Sequence, residues 1–178
     1  MAQIKLLPPL AHLQVCFIYK PETGVLIWRE RPREHFADLR SWSRCKTQFA
    51  GKPAGNINKA GYLVVLLNRV PYLSHRIAWK LMTGDEPPAS IDHINGNRLD
   101  NRWDNLRAAT VLQQIGNQRI HRTNKSGYRG VYLHRDGKWV AQLGRRYLEC
   151  FYSFKQAASV YESAAREHFG EFYRQVDS

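Results

Sequence analysis

The sequence predicts an α+β protein made of two small units and a short linker. Three observations support this. Short β-like segments separated by turn residues occupy the N-terminal part, a strand–loop–strand–helix segment follows, and the C-terminal part contains three strand-like runs before one helix. A length of 178 residues fits one medium domain or two small ones. We place the units at residues 1–121 and 128–178, with a linker at 122–127 and a ββα core at about residues 90–121.

The N-terminal part is predicted to be rich in β-strands. Residues 15–28 contain two apolar runs around the turn sequence Pro-Glu-Thr-Gly, which is typical of a hairpin. Residues 29–50 mix polar and aromatic side chains and are interpreted as a loop. Turn residues at 58–61 and at 68–69 then separate short apolar runs up to residue 73, which predicts a meander of short strands. The first 60 residues contain no functional motif, so they either add to the surface that contacts a binding partner or only complete the fold.

The middle of the chain changes to a helical period. Residues 75–82, HRIAWKLM, place their apolar side chains on one face, and Gly84 followed by two prolines ends this helix. Residues 106–109 are predicted to form a short strand. Thr110 and Gln113 have the spacing of a capping box, so a second helix is expected from there to about residue 121.

The C-terminal part is predicted to form a β-β-β-α unit. Residues 123–127 have linker composition, and residues 128–133, 138–143 and 145–151 have the pattern of three strands. Ser153 and Gln156 match a second capping box. The helix that follows is expected to end at Gly170.

Charge is the first indication of a partner. The chain has 27 Lys and Arg against 15 Asp and Glu, a net charge of +12. No acid occurs between Asp104 and Asp136, although basic residues accumulate there. Such a balance favours polyanionic partners, because basic side chains near phosphates release condensed counterions. A solvated basic face is the alternative interpretation.

The cysteines and the hydropathy limit the possible location. Cys16, Cys45 and Cys150 are odd in number, far apart and without paired spacing. This argues against a disulfide framework and against a Cys-ligated structural zinc site. The N-terminus lacks a secretory pattern, and no apolar run reaches membrane-spanning length. The sequence therefore predicts a cytoplasmic protein with no membrane contact.

The densest group of ligand-capable side chains lies at residues 92–107. Asp92 and His93 are adjacent, so on a strand they point to opposite sides, and one can bind a metal while the other faces a substrate. The sequence Asn95-Gly96-Asn97 requires a tight turn, and residues 101–105 form a second polar loop. This segment is therefore the candidate chemical centre.

Three motifs here resemble the HNH nuclease family, in particular its phage homing endonucleases. They are HRIAW at 75–79, DHINGN at 92–97 and NLR at 105–107, and the resemblance covers about residues 62–120. It implies that His93 is the general base and that Asp92 holds Mg²⁺ or Mn²⁺ against the scissile phosphate. It also implies that Asn105 braces the loop and orients the base. The expected products carry a 5′ phosphate and a 3′ hydroxyl.

One position departs from the family pattern. The third member of the motif is usually His or Asn, and here it is Gln114. An amide oxygen also suits Mg²⁺, so we favour Gln114 as a ligand, supported by Asn117 three residues later on roughly the same helix face. If neither binds the metal, catalysis would be weak or absent.

The C-terminal part resembles the APETALA2-type DNA-binding domain over about residues 124–174. The matching residues include the sequence Tyr-Arg-Gly-Val at 128–131 and the paired alanines of the helix. In that fold the three strands enter the major groove. Strand alternation independently predicts which side chains face the helix, namely Val131, Leu133, Trp139, Ala141, Leu143 and Leu148. The predicted DNA contacts, each alternatively a solvated side chain, are Arg129, Tyr132, His134, Lys138, Gln142, Arg145 and Tyr147.

The leading hypothesis is therefore a metal-dependent endonuclease that nicks or cuts double-stranded DNA. We expect a phage-encoded monomer acting in the host cytoplasm. The alternative is a DNA-binding protein whose HNH module is inactive. An RNA-directed or purely structural binder fits the charge, but not the combination of Asp92 and His93.

Overall fold

The fold is mixed α+β, as the sequence predicts, and the described residues form several small antiparallel sheets and five α-helices. The computed structural model describes residues 6–117, 120, 124 and 126–174. The chain divides into two compact units, Met1–Ala109 and Thr110–Ser178. The linker predicted at 122–127 includes residues outside the described part of the chain, so its position stays a prediction.

The first unit opens with a helix that the sequence analysis did not assign. Helix α1 is Leu10–Cys16, and Pro9 occupies the position just before it. Proline is tolerated there because a helix start needs no amide donor at that point. The predicted hairpin follows, with β1 at Phe17–Lys20 and β2 at Val25–Trp28 paired antiparallel.

The loop predicted for residues 29–50 is wrong over much of its length. A 3₁₀-helix covers Arg33–His35, and helix α2 covers Leu39–Phe49. Asp38 caps α2, since its Oδ1 accepts a hydrogen bond of 2.7 Å from the backbone N–H of Ser41. No residue of α2 is buried. Its apolar side chains nevertheless recur at helical spacing, at Leu39, Trp42, Cys45 and Phe49, and the interpretation as a loop overlooked this pattern.

The predicted meander and the helix after it are confirmed. Strands β3 (Asn56–Ile57), β4 (Leu63–Leu67) and β5 (Val70–Leu73) form an antiparallel sheet in that order. Asn68 and Arg69 have φ of 50° and 63°, which is the left-handed conformation of a two-residue hairpin turn. Helix α3 (Ser74–Thr83) begins directly after β5 and ends at Gly84, whose φ is 84°.

Two apolar clusters form the core of the first unit. The larger cluster packs α1, the hairpin, β4 and α3 together through Leu13, Phe17, Leu26, Val65, Leu67 and Ile77. The smaller cluster comprises Ala78, Ile91 and Leu106. It fixes α3 beside the short antiparallel pair of β6 (Ile91–His93) and β7 (Leu106–Ala108). A 3₁₀-helix at Trp103–Asn105 leads into β7.

The second unit begins with helix α4, Val111–Asn117. Its predicted capping box is confirmed. The amide of Thr110 donates to Gln113 Oε1 at 2.7 Å, and the amide of Gln113 donates to Thr110 Oγ1 at 3.2 Å. The helix end predicted near residue 121 lies outside the described residues.

The rest of the second unit has the predicted β-β-β-α order. Strands β8 (Val131–Leu133), β9 (Trp139–Leu143) and β10 (Arg146–Phe151) form an antiparallel sheet with β9 in the centre. Helix α5 (Phe154–Phe169) covers one face of this sheet, and a 3₁₀-helix follows at Gly170–Phe172. The core between them contains Val131, Ala141, Ala157, Tyr161 and Ala165.

One detail predicted for this unit is wrong. Ser153 precedes α5 as expected, but its side chain makes no capping hydrogen bond. Phe154, the first residue of the helix, packs against the core. Leu133 lies on the predicted side of the sheet, because its β-partner Trp139 packs against the core. It is nevertheless 57% exposed, as the last residue of the short edge strand β8.

Candidate active site

His93 is the most enclosed ionisable side chain of β6. It is 4% exposed, and its Nε2 lies 3.0 Å from Oδ1 of Asn101. Because an amide oxygen only accepts hydrogen bonds, His93 Nε2 carries the proton and Nδ1 is the basic nitrogen. The sequence analysis did not identify Asn101. The sequence shows two asparagines in the loop at 101–105, but it does not show which of them contacts the histidine.

A second histidine packs edge-on against the first. The ring centroids of His75 and His93 are 5.1 Å apart at 90°, and the ring of Tyr62 lies 5.6 Å from that of His75. Burial, together with smaller effects of the neighbouring His93 and Arg76, lowers the pKa of His75 to about 3. Burial also lowers the pKa of His93, against the opposing effects of the Asn101 hydrogen bond and Asp92. Both imidazoles are therefore neutral at pH 7, the form that accepts a proton.

The buried His75 predicts acid sensitivity of the first unit. Its folded-state pKa of about 3 lies below the unfolded value of 6.5, so the unfolded chain binds the proton more tightly. As the pH falls from 6.5 to 3, this one group lowers the free energy of unfolding by about 1.4 kcal/mol per pH unit. Above pH 6.5 it has no effect.

Denaturant unfolding between pH 7 and pH 4, comparing wild type with His75→Gln, measures this dependence. His168→Gln, at the end of α5, is the matched control. The stability of His75→Gln is expected to fall less steeply with acid than that of wild type and of the control. Equal slopes for all three proteins would contradict a buried neutral His75.

Asp92 contacts a different set of neighbours. It is 8% exposed, and its Oδ2 accepts hydrogen bonds from Arg107 Nε at 3.0 Å and Nη2 at 2.9 Å. The two residues are direct partners across the β6–β7 pair. Arg107, from the Asn-Leu-Arg motif, therefore fixes the orientation of the carboxylate and compensates its charge in a poorly solvated position.

Asn105 holds the loop between the two strands. Its Oδ1 accepts from the amide of Asn95 at 2.9 Å, and its Nδ2 donates to the backbone oxygen of Asp100 at 2.7 Å. Asp100 in turn binds Arg102 through both carboxylate oxygens, at 2.8 and 2.7 Å. Asn105 thus closes the loop on itself, whereas the side-chain contact with His93 comes from Asn101.

The β1–β2 hairpin packs against this loop. Tyr19 Oη donates to the backbone oxygen of Asn101 at 2.6 Å, and the amide of Trp103 donates to the backbone oxygen of Pro21 at 3.0 Å. Gly24 has φ of 73°, and a Cβ there would lie 2.4 Å from the backbone of Asn101 and Arg102. The turn at 21–24 therefore fits against the loop only with glycine.

The remaining predicted metal ligands lie in the second unit. Gln114 is half-buried and Asn117 is buried, and both are on α4. The first unit by itself therefore holds only Asp92, His93 and Asn105 of the predicted set. The roles of Gln114 and Asn117 stay predictions.

The sheet of the second unit presents part of the predicted DNA-contacting set together. Tyr132 and Tyr147 are 46% and 58% exposed. Tyr132 Oη donates to Gln142 Oε1 at 3.2 Å, and Tyr147 is the β-partner of Gln142. The three side chains form one row across the sheet, with Arg145 exposed at the adjoining turn.

Three other members of that set have close partners inside the unit. His134 Nδ1 lies 3.0 Å from Asp136 Oδ1, and Lys138 Nζ lies 5.2 Å from the ring centre of Tyr152. Arg129 donates to the backbone oxygens of Ile115 and Gly116, near the C-terminal end of α4. A guanidinium is favourable at that end of a helix. The proposed DNA contact of Arg129 therefore competes with a structural one.

Comparison with known proteins identifies the region around His93. Residues 72–114 match the model of the family described as HNH endonuclease. This stretch contains α3, β6, β7 and the loop that bears Asn101 and Asn105. It is an HNH endonuclease domain. The match identifies this segment of the chain, which includes Asp92, His93 and Asn105.

A viral relative shares part of the chain. It is an uncharacterized HNH endonuclease of Acanthamoeba polyphaga mimivirus, 34% identical over 101 residues. The match covers 55% of this chain and 54% of the relative, so the chain spans about half the length of that protein. No solved structure matches. Among the described residues, no helix is long and apolar enough to cross a membrane.

Proposed function

We propose that this protein is a metal-dependent endonuclease that hydrolyses phosphodiester bonds of double-stranded DNA. The main observation behind the proposal is the burial, neutral form and fixed orientation of the His93 side chain. It is buried, neutral and held through Nε2 by Asn101, and it follows Asp92 on a strand of the HNH domain. A base held in this way keeps Nδ1 in one direction, which is what proton abstraction from a water molecule requires.

In the proposed reaction His93 Nδ1 takes the proton of the attacking water. Asp92, with Gln114 and Asn117 from α4, would hold Mg²⁺ or Mn²⁺, because carboxylate and amide oxygens are the donors these hard ions prefer. The ion, when bound, neutralises the scissile phosphate and stabilises the leaving 3′ oxygen. Arg107 keeps the Asp92 carboxylate oriented. The products would carry a 5′ phosphate and a 3′ hydroxyl.

The second unit is proposed to hold the DNA as an APETALA2-type domain. The row of Tyr132, Gln142 and Tyr147 with the adjoining Arg145 offers donors, acceptors and one positive charge on a single exposed face. A sheet of this width fits the major groove. His134, Lys138 and Arg129 would add contacts at its border. We further propose a phage-encoded monomer in the host cytoplasm; the viral relative supports a viral origin and bears on neither the kind of virus nor the oligomeric state.

A plasmid assay tests the proposed function. Supercoiled DNA is incubated with the full chain and Mg²⁺, Mn²⁺ or EDTA, beside Asp92→Asn and the surface control Asp85→Asn. Open-circular or linear product is expected from wild type and the control, only with a divalent ion. Cleavage that persists in EDTA, or that Asp92→Asn leaves unchanged, would contradict the proposed metal site.

Asn101→Ala is expected to lower the cleavage rate by about 10–100-fold, the usual cost of removing a residue that orients a functional side chain. The substitution leaves the Nε2–H of His93 without its described acceptor in a buried place. DNA affinity should not change, because Asn101 is 1% exposed and out of reach of a substrate. Single-turnover rates and gel-shift titrations measure the two effects, with the exposed Asn56→Ala as control. A loss of affinity with an unchanged rate would assign Asn101 to binding instead.

A DNA-binding protein with an inactive HNH domain is the second candidate. The observation in its favour is Gln114, where the family usually has His or Asn. If wild type shifts DNA but produces no cleavage with any ion, Gln114→Asn is the informative variant. Cleavage by that variant alone would establish the second candidate.

A further inference from the structure

Three potential metal ligands meet at the start of the first unit, far along the chain from the HNH motifs. His12 and Cys16 lie one turn apart on α1, and His35 ends the first 3₁₀-helix. Their ligand atoms all lie within 4.8 Å of one another. Cys16 Sγ is 4.0 Å from His35 Nδ1, and the rings of His12 and His35 are 4.6 Å apart. We call these three residues the N-terminal cluster.

The cluster has nearly the dimensions of a tetrahedral zinc site. With ordinary Zn–S and Zn–N bond lengths, donor atoms around one Zn²⁺ are about 3.3–3.6 Å apart. The donor atoms of the cluster would need to move by only about 1 Å, which rotation about side-chain bonds supplies. The i, i+4 spacing of His12 and Cys16 already places them on the same side of α1.

The kinds of donor select the metal. One sulfur and two imidazoles form a soft ligand set, which favours Zn²⁺ and disfavours Mg²⁺ and Mn²⁺. The cluster therefore differs in chemistry from the carboxylate and amide oxygens proposed for the HNH domain. Cys16 is fully buried, while His12 and His35 are half-buried, so water can reach the side of the cluster that the two rings form.

Arg31 places a positive charge beside the cluster, which disfavours a bound cation. Burial raises the pKa of the Cys16 thiol, whereas the nearby Arg31 guanidinium lowers it by its charge and by a hydrogen bond. Arg31 is 8% exposed, stacks over Phe36 and donates to Asn68 Oδ1 at 2.7 Å. Its charge would repel a cation, but its N–H groups can donate to the Cys16 sulfur. Donors to a ligating sulfur are an ordinary outer-shell feature of metal sites.

We propose that His12, Cys16 and His35 bind one Zn²⁺, with a water molecule as the fourth ligand. The ion would tie α1 to the 3₁₀-helix at Arg33–His35. The hairpin β1–β2 lies between these two elements in the chain, so the cross-link would enclose the segment that supports the loop of the HNH domain. Binding of the ion does not depend on the proposed nuclease activity.

Metal analysis of the full chain tests the proposal. The protein is stripped with chelator, reloaded with Zn²⁺ or Co²⁺, and freed of loose metal by gel filtration in excess Mg²⁺. We expect one tightly held Zn²⁺ per chain, and a thiolate-to-cobalt charge-transfer band with Co²⁺. His35→Gln and Cys16→Ser should both weaken zinc binding by more than the roughly 10–100-fold that outer-shell changes cost. His35→Gln is the safer variant because its side chain is only half-buried.

Matched controls separate this site from other thiols, histidines and metals. Cys150→Ser changes an exposed thiol of the second unit, and His168→Gln changes a histidine of α5. Both, together with His93→Ala, should keep the zinc and the charge-transfer band. Chelator should lower the melting temperature of wild type but not of His35→Gln. The proposal is overturned if wild type retains no zinc, or if folded His35→Gln retains as much zinc as wild type.

Discussion

His93→Ala is expected to lower the rate of metal-dependent DNA cleavage by about 10²–10⁴-fold, the usual contribution of a general base. The imidazole is buried and neutral, and its Nε2 donates to Asn101, so the substitution removes Nδ1, the proton acceptor of the proposed reaction. Because the side chain is 4% exposed, DNA binding should persist. Conversion of supercoiled plasmid under single-turnover conditions measures the rate, and a gel shift measures the affinity.

His168→Ala is the matched control for this experiment, since it removes a histidine from the second unit. Circular dichroism and a melting curve establish that His93→Ala is folded. Added imidazole is expected to restore part of the lost rate, because it supplies the missing base in the cavity. If folded His93→Ala cuts at the wild-type rate, His93 is not the base, and the mechanism proposed here is wrong.

Gly130→Ala is expected to unfold the second unit, at a cost of about 3–5 kcal/mol. A Cβ at Gly130 would lie 1.8 Å from the backbone oxygen of Gln142 and 2.4 Å from Cε2 of Tyr161. The first clash is with the backbone of β9, and the second is with a core aromatic ring of α5. Rotation of the Tyr161 side chain or a small shift of the backbone would therefore not relieve both clashes. Chemical denaturation followed by the fluorescence and circular dichroism of the full chain measures the loss.

Gly137→Ala provides the control for Gly130→Ala. Gly137 has φ of 81° with no atom within 4 Å of a Cβ, so only the backbone conformation costs energy, about 1–2 kcal/mol. The proposed role of the second unit makes a further prediction. Gly130→Ala should bind DNA more weakly and with less salt dependence than wild type, while the first unit stays folded. Unchanged affinity would mean that the second unit does not hold the DNA.

Those parts of the fold that bury an apolar stripe or use a specific turn were predictable from the sequence. The alternating apolar runs gave the β1–β2 hairpin, and the turn at Asn68 and Arg69 gave the meander. The capping-box spacing of Thr110 and Gln113 predicted the start of α4, and their reciprocal hydrogen bonds confirm it. Each of these features depends on residues close together in the chain, which local patterns capture.

The features that were missed depend on surface helices or on distant contacts. Helix α2 has a helical spacing of apolar residues and the capping residue Asp38, two signals that the interpretation as a loop overlooked. Asn105 was expected to brace the loop and orient the base, and its side chain bonds within the loop; the hydrogen bond of Asn101 to His93 was not anticipated, because loop closure decides which of several nearby asparagines points inward. The N-terminal cluster joins residues that are 19 positions apart. Pairing rules for cysteines alone do not detect such a mixed set.

The contact between the hairpin turn and the loop limits how this protein can be shortened. The family match begins at residue 72, yet the loop that carries Asn101 rests on Tyr19, Pro21 and Gly24. A fragment trimmed to the matching segment would keep every predicted catalytic side chain of the first unit and lose the surface against which they are arranged. Grafting this HNH domain onto an unrelated protein would therefore require its first 28 residues as well, so the transferable part is the whole first unit.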